Sequence, residues 1–257
     1  MVTHSKPTAA VIMAAGKGTR MKSDLPKVLH KLGGKPMVEY VVNTAKEIGA
    51  ERILLVVGHR WEQAKDALKH LELEFVVQKE QLGTGHAVLQ TEELLSNFQG
   101  DVLILSGDVP LLRSGTLKTL LDEHRKKRAS ATVLTAILDD PAGYGRIVRD
   151  ETGLVQEIVE EKDTDADQKR IREINTGTFC FDRASLFSAL GKVTNDNEQG
   201  EYYLTDTLKL LQEGKSPVCG VVVADPKETL GINSQEELKE MERLLLARGF
   251  DQTTAAP

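Results

Sequence analysis

A chain of 257 residues, 40% hydrophobic and 28% charged, is long enough to bury a sizeable core and has an ordinary soluble composition. Its formal net charge of −6, isoelectric point near 5.6 and 4% aromatic content give no general attraction to nucleic acid or an anionic membrane and no base-stacking surface. No stretch approaches the roughly 18 apolar residues of a membrane span, and the apolar segment before Gly16 is too short for a signal peptide.

In chain order, the apolar run Ala9 to Met13 suits a buried first strand. AAGKGTRMKSDLPK (Ala14 to Lys27) follows, glycine-rich and basic at once. Gly16 and Gly18 let the backbone bend and lie close to a ligand. Consecutive N–H groups in such a turn can form a concave anion site. Lys17, Arg20, Lys22 and Lys27 surround it, opposed only by Asp24, which suits a triphosphate. The loop is not G-x-x-x-x-G-K-[ST], and Met21 occupies the third glycine position of G-x-G-x-x-G.

Pro36 then opens a helical pattern through Met37, Val41, Ala45 and Ile48, closed by Gly49. ILLVV (Ile53 to Val57) reads as a strand, Trp61, Ala64, Leu68 and Leu71 as a helix, and LEFVV as a strand ending at Gln78. Thr84 to Asn97 has helical composition, and VLIL (Val102 to Leu105) is a buried strand stopping at SGDVP. Leu117, Leu120, Leu121 and His124 mark another helix, and SATVLTAIL a strand. This order predicts an α/β fold with a mostly parallel sheet covered by helices, its ligands beyond the carboxyl ends of the strands.

The second half differs in texture. GRIVRD and LVQEIVEE flank Glu151-Thr152-Gly153 as an antiparallel hairpin. Asp163 to Arg170 reads as a surface loop, NTGTFCFD as a strand, Ala184 to Leu190 as a short helix and Asn195 to Gly200 as a loop. Leu204 to Leu211 reads as a helix and Val221 to Ala224 as a strand. Ser234 with Glu237 makes a capping-box pattern before a last helix striped by Leu238, Met241, Leu244 and Leu245. Cys180 and Cys219, each in an apolar run, read as buried reduced thiols of a cytoplasmic protein.

Asp108 directly follows a buried strand, and a carboxylate there beside a triphosphate is a natural Mg²⁺ ligand. Gln78, Gln81, Gly83 and Thr84 stand together in QKEQLGTGHA. Glutamine offers a donor and an acceptor to a nucleobase edge, while Thr84 also suits a helix N-cap. His59, His86 and His124 read as structural.

AAGKGTRMKSDLPKVLH, QLGTGHAV, SGDVPLL, GYGRIV, EINTG and NEQGEYYLTD together resemble one family, over nearly the whole chain. It is the uridylyltransferase domain of bacterial bifunctional N-acetylglucosamine-1-phosphate uridylyltransferase/glucosamine-1-phosphate acetyltransferase. The resemblance implies a Rossmann-like, glycosyltransferase-A-like fold with an antiparallel sugar-binding portion. It implies UTP and N-acetylglucosamine 1-phosphate as substrates, with Mg²⁺, and neither nucleic acid nor membrane as a partner. On this sequence, Met13, Ala14, Ala15, Gly16 and Gly18 should line the nucleotide, and Gln78, Gly83 and Thr84 should read uracil. Ser106 and Gly107 should border the ribose. Asp108 and Asn233 should hold the metal, and Arg20 and Lys27 should contact the phosphates. Gly145, Glu160 and Asn175 should bind the sugar, with Glu161 one register from Glu160.

Met13 stands where the family commonly has leucine, and the sequence ends before any hexapeptide repeats. The acetyltransferase activity and the trimer built through those repeats are therefore expected to be absent. The expected division is a nucleotidyltransferase domain over 1–233, a helix over 234–250 and a flexible tail over 251–257. Related nucleotidyltransferases of other base or sugar preference, and a catalytically silent nucleotide-sugar sensor, are the competing readings.

Overall fold

The computed structural model describes residues 6–247; the tail expected over 251–257 lies outside them. Strand β1 (Thr8–Ala14) leads through a long loop into the short hairpin β2 (Lys31–Leu32) and β3 (Lys35–Pro36), then α1 (Met37–Glu47). β4 (Arg52–Val57), α2 (Trp61–Ala67), β5 (Glu74–Val77), α3 (Thr84–Leu89), β6 (Asp101–Ser106), α4 (Ser114–Lys126) and β7 (Ala131–Ile137) follow. The ribbon β8 (Arg146–Arg149) and β9 (Val155–Val159) precedes the long β10 (Glu173–Asp182). The chain continues through α5 (Arg183–Leu190), α6 (Asp206–Glu213), β11 (Val218–Val222) and α7 (Gln235–Ala247).

The main sheet runs β11-β7-β10-β6-β1-β4-β5. β1 pairs in parallel with both β4 and β6, β4 with β5, and β7 with β11. Only β10 runs against its main-sheet neighbours, wedged between β6 and β7. β8 pairs antiparallel with β10 and β9, the expected hairpin.

Alternation explains the continuous apolar strands. Ala10 and Ile12 of β1 pack on one face with α1, α4 and α7, while Ala9 and Val11 pack on the other with α3, α5 and α6. Leu103 and Leu105 of β6 join the first core, and Val102 and Ile104 the second. A strand buried on both faces has no polar side to show.

Four boundaries depart from expectation. The helix expected over Thr84–Asn97 stops at Leu89, because Thr91 donates both its N–H and its hydroxyl to Val88 O, tightening the chain into successive turns. The last strand starts at Val218 rather than Val221. Gly220 sits inside it because the Arg149 guanidinium packs where a side chain would be, 2.9 Å from an ideal Cβ. The helix expected from Ala184 begins at Arg183, with Asp182 Oδ1 accepting from Ser185 N–H at 3.0 Å. The helix expected from Leu204 begins only at Asp206, because Leu204 N–H donates across to Thr84 Oγ1.

Ser234 caps α7 as expected, its Oγ accepting from Glu237 N–H at 3.1 Å. Glu237 reaches back to Asn233 N–H at 2.5 Å, tying the cap to a predicted metal ligand. Both cysteines are free and buried.

Candidate active site

β1 is the point from which the chain first builds outward to β4 and β5 and then returns to place β6 on the opposite side. Clefts form beyond the carboxyl ends of strands at such a reversal. Here the cleft holds about 770 Å³, and it adjoins a second of about 570 Å³. Met13, Arg20, Thr84, Ser106, Asp108 and Asn233 line both.

The first cleft is walled by the loop after β1. Gly18 has φ +60°, and a Cβ there would lie 2.6 Å from Lys27 Cβ, so both the turn and the close approach require glycine. Asp24, the one acid of the loop, pairs with Arg60 at 2.9 Å beside the start of α2, away from the loop's cations. Lys17, Arg20 and Lys22 are exposed and have no ion-pair partner among the described residues. The loop thus presents unneutralised positive charge to the cleft.

Gly58 escaped the sequence reading. A Cβ on it would stand 2.5 Å from Ala15 O, so only glycine after β4 lets the loop settle there. Its position directly behind the run ILLVV was the available signal. Gly107 N–H donates to Met13 O at 2.9 Å, fixing the ends of β1 and β6 against each other.

At the catalytic end, Lys27 Nζ donates to Asp108 Oδ2 at 2.5 Å and to Asn233 Oδ1 at 3.0 Å. Lys27 comes from a short 3-10 turn (Lys27–Leu29), Asp108 from beyond β6, and Asn233 from before α7. Ile232 N–H donates to Asp108 O at 2.9 Å, holding the last two segments together. Two hard oxygens converging on one cation suit a divalent ion such as Mg²⁺, which takes few protein ligands. The described residues contain no group of three or more His, Cys, Asp or Glu arranged to hold a metal.

The base end is built by two distant segments. Gly83 has φ +111°, and a Cβ on it would lie 2.6 Å from Tyr202 O. Tyr202 N–H donates to Leu82 O and Gly85 N–H to Tyr202 O, both at 2.8 Å, while Leu204 N–H donates to Thr84 Oγ1 at 3.0 Å. QLGTG and EYYL are therefore two faces of one turn. Gln78, 3% exposed, places its Nε2 3.1 Å from Gly83 O and 3.0 Å from His86 Nδ1. His86 thus has a polar role beside helix packing. His59 is exposed, and His124 is buried against Thr132 Oγ1 at 2.9 Å, its pKa held below the ordinary value by that burial.

Gly145, Glu160 and Asn175 line the second cleft. Asn175 sits at a bulge in β10, its Oδ1 accepting from Gly177 N–H at 2.9 Å and its N–H donating to Gly145 O at 2.8 Å. Gly177 (φ +75°) faces Ser106, whose Oγ lies 2.9 Å from an ideal Cβ there. Glu160 Oε1 accepts from the Thr205 hydroxyl at 3.0 Å, and burial, with the nearby acids Asp206, Asp163 and Glu201, raises its pKa above the usual carboxylate range. Glu161 turns away to pair with the buried Arg146 at 2.7 Å. Geometry therefore separates the two adjacent acids.

A parallel sheet with a glycine-rich basic loop after its central strand and a carboxylate beyond the next is a nucleotidyltransferase arrangement. The chain belongs to the family of the MobA-like NTP transferase domain, whose model matches residues 10–205. Among curated proteins, the bifunctional protein GlmU of Enterococcus faecalis is 49% identical over 239 residues, 93% of this chain and 52% of that protein. GlmU of Geotalea daltonii is 48% identical over 241 residues, 93% of this chain and 53% of that one. The chain thus spans about half the length of these relatives. A solved UDP-glucose pyrophosphorylase complexed with UDP-glucose superposes with a TM-score of 0.73 at 19% identity, covering 94% of this chain and 99% of its own, which shows the shared fold. Among the described residues, no helix is long and apolar enough to cross a membrane.

Proposed function

We propose that this chain is a cytoplasmic uridylyltransferase that joins UTP and N-acetylglucosamine 1-phosphate, giving UDP-N-acetylglucosamine and pyrophosphate. The observation that carries this reading is the meeting of two clefts at Lys27, Asp108 and Asn233. One cleft is glycine-walled and cationic, and the other is lined by Asn175 and a half-buried Glu160. The GlmU relatives, at 48–49% identity, support the choice of substrates.

In this reading Met13 through Gly18 wrap the nucleotide with backbone, Gln78, Gly83 and Thr84 face the base, and Ser106 and Gly107 border the ribose. Gly145, Glu160 and Asn175 hold the sugar. The sugar-phosphate oxygen attacks the α-phosphorus of UTP in line, and the Pα–O bond to pyrophosphate breaks with its electron pair leaving on pyrophosphate. Both reactants are polyanions, and each unit-charge pair near 4 Å repels by about 4 kcal/mol at an effective dielectric of 20. Positioning and charge neutralisation are therefore the main tasks of the protein. Lys27 opposes charge at the α-phosphate, and Arg20 at the departing pyrophosphate.

Asp108 and Asn233 are the residues that would hold Mg²⁺. When bound, that ion supplies Lewis-acid neutralisation of phosphate oxygens. The Lys27 ammonium already lies between the same two oxygens, a cationic stand-in that supports the fit.

Pyrophosphate release from UTP and N-acetylglucosamine 1-phosphate, with Mg²⁺ or EDTA, tests the proposal beside dTTP and glucose 1-phosphate. Selective, metal-dependent release is expected. Release only from a control pair would overturn the substrate assignment, and no release from folded protein with any pair would overturn the catalytic one.

A further inference from the structure

We infer that Glu237 is a positioning residue for the cation site: its carboxylate holds the backbone of Asn233 and so fixes where the Asn233 carboxamide stands beside Asp108. This deepens the proposed reading and rests on it, in that Asp108 and Asn233 hold the metal. Three bonds settle Asn233. The fully buried Ile232 donates its N–H to Asp108 O at 2.9 Å, which brings the chain alongside the other ligand. Asn233 then donates its own N–H to Glu237 Oε2 at 2.5 Å, and its Oδ1 accepts from Lys27 Nζ at 3.0 Å. Only the first two act on the backbone. In the proposed mechanism Lys27 turns to the α-phosphate, so those two are the ones left to aim the carboxamide.

The N–H that Glu237 takes is the telling detail. In a capping box the side chain at the third helical position returns to the N–H of the cap residue itself. Glu237 occupies that position in α7, and Ser234 Oγ accepts its N–H at 3.1 Å. Its carboxylate nevertheless reaches one residue further back, to Asn233. A box serving the helix alone would close on Ser234. An ionised acceptor on a backbone N–H is also the stronger kind of hydrogen bond.

The same turn reaches the rest of the site. Gln235 Nε2 donates to Met21 O at 3.0 Å, tying the start of α7 to the loop after β1. A Cβ on Gly231 would lie 3.6 Å from Asn233 Nδ2 and 3.7 Å from Asp108 Oδ2, so the chain entering Asn233 passes against both side chains. Glu237 is exposed and lines the sugar cleft, which makes substrate contact and its bare charge the two rival roles.

The test is the dissociation constant for Mn²⁺ alone, read from the resonance signal of the free ion, since that constant does not depend on the folded fraction. Glu237→Ala should raise it about tenfold, the low end for partners that orient metal ligands, because Glu237 is exposed. Its KM for N-acetylglucosamine 1-phosphate should stay unchanged. Glu237→Gln keeps an acceptor oxygen and should recover most of the affinity. Ser234→Ala weakens the cap of α7 but spares the Asn233 N–H, so it should lower the urea midpoint and leave Mn²⁺ binding as it was. Wild-type affinity in Glu237→Ala would overturn the inference, as would a raised sugar KM with Mn²⁺ binding intact. Equal losses in Glu237→Gln and Glu237→Ala would assign the effect to charge, and equal losses in Ser234→Ala would assign it to helix stability; either overturns the inference. Wild-type binding in Asp108→Asn would instead overturn the metal role of Asp108 itself.

Discussion

The two sides of the cleft are built by different means. On the nucleotide side, β6, β1, β4 and β5 run parallel, and the working groups lie on loops just past their carboxyl ends. Those loops are shaped by glycines whose Cβ would strike backbone or a side-chain stem, as at Gly18, Gly58 and Gly83. On the sugar side the groups belong to antiparallel structure: Asn175 is inside β10 at a bulge, and Glu160 ends the ribbon. One side presents backbone N–H groups and exposed cations, and the other presents half-buried side chains. In the proposed reading, polyanion binding and sugar binding fall to the two kinds of pairing within one sheet.

The sharpest way to break this arrangement is at its seam. Lys27→Ala should lower turnover about 10²–10³-fold, the scale of losing one charge-stabilising donor, read as steady-state pyrophosphate release. On the sugar side, Glu161→Ala would leave the 2%-exposed Arg146 with Tyr144 O but no carboxylate and should cost about 1–3 kcal/mol in urea unfolding, below the range for fully buried pairs because Glu161 is partly exposed. On the nucleotide side, Gly83→Ala forces a side chain to φ +111° against Tyr202 and should destabilise by about 1–3 kcal/mol while raising KM for UTP.

The smallest effect concerns pH. Because burial raises the Glu160 pKa, the folded protein keeps a proton that the unfolded chain has already released. The group therefore erodes stability as pH rises from the unfolded toward the folded pKa. Glu160→Gln should flatten that slope in thermal melts and leave the protein slightly more stable near neutrality. The same variant should raise KM for N-acetylglucosamine 1-phosphate about tenfold, since a hydrogen bond to a charged group is the stronger kind. If the variant lost stability and kept its sugar KM, Glu160 would be a packing residue.

This contrast also governs what could be read beforehand. Loop residues after parallel strands are contiguous, so the run Met13 to Lys27, Gln78 and Asp108 stood out, and Met13 to Arg20, Lys27, Gln78 and Asp108 line the same cleft. The seam with Asn233 needs a segment more than two hundred residues from Lys27, which only the family resemblance supplied. NTGTFCFD was legible as a strand, but Phe179, Cys180 and Phe181 are buried on both faces and carry no mark of direction or partner. Glu160 and Glu161 were indistinguishable because neighbouring residues at a strand end point oppositely, and only the place of Arg146 decides between them. The helix overextended to Asn97 failed for a local reason, the Thr91 hydroxyl competing for the carbonyl of Val88.

The position of β10 has a consequence for synthesis. It fills the gap between β6 and β7, yet it emerges from the ribosome only after both. Until residue 182 is out, β6 carries one open edge and β7 lacks both of its neighbours, β10 and β11, while the N-terminal strands β1, β4 and β5 can already pair locally. Late, long-range pairings of this kind are slow to form and expose strand edges meanwhile. A nascent chain whose emerged portion ends near residue 170 should accordingly engage holdase chaperones, and one whose emerged portion extends beyond α5 should bind them less.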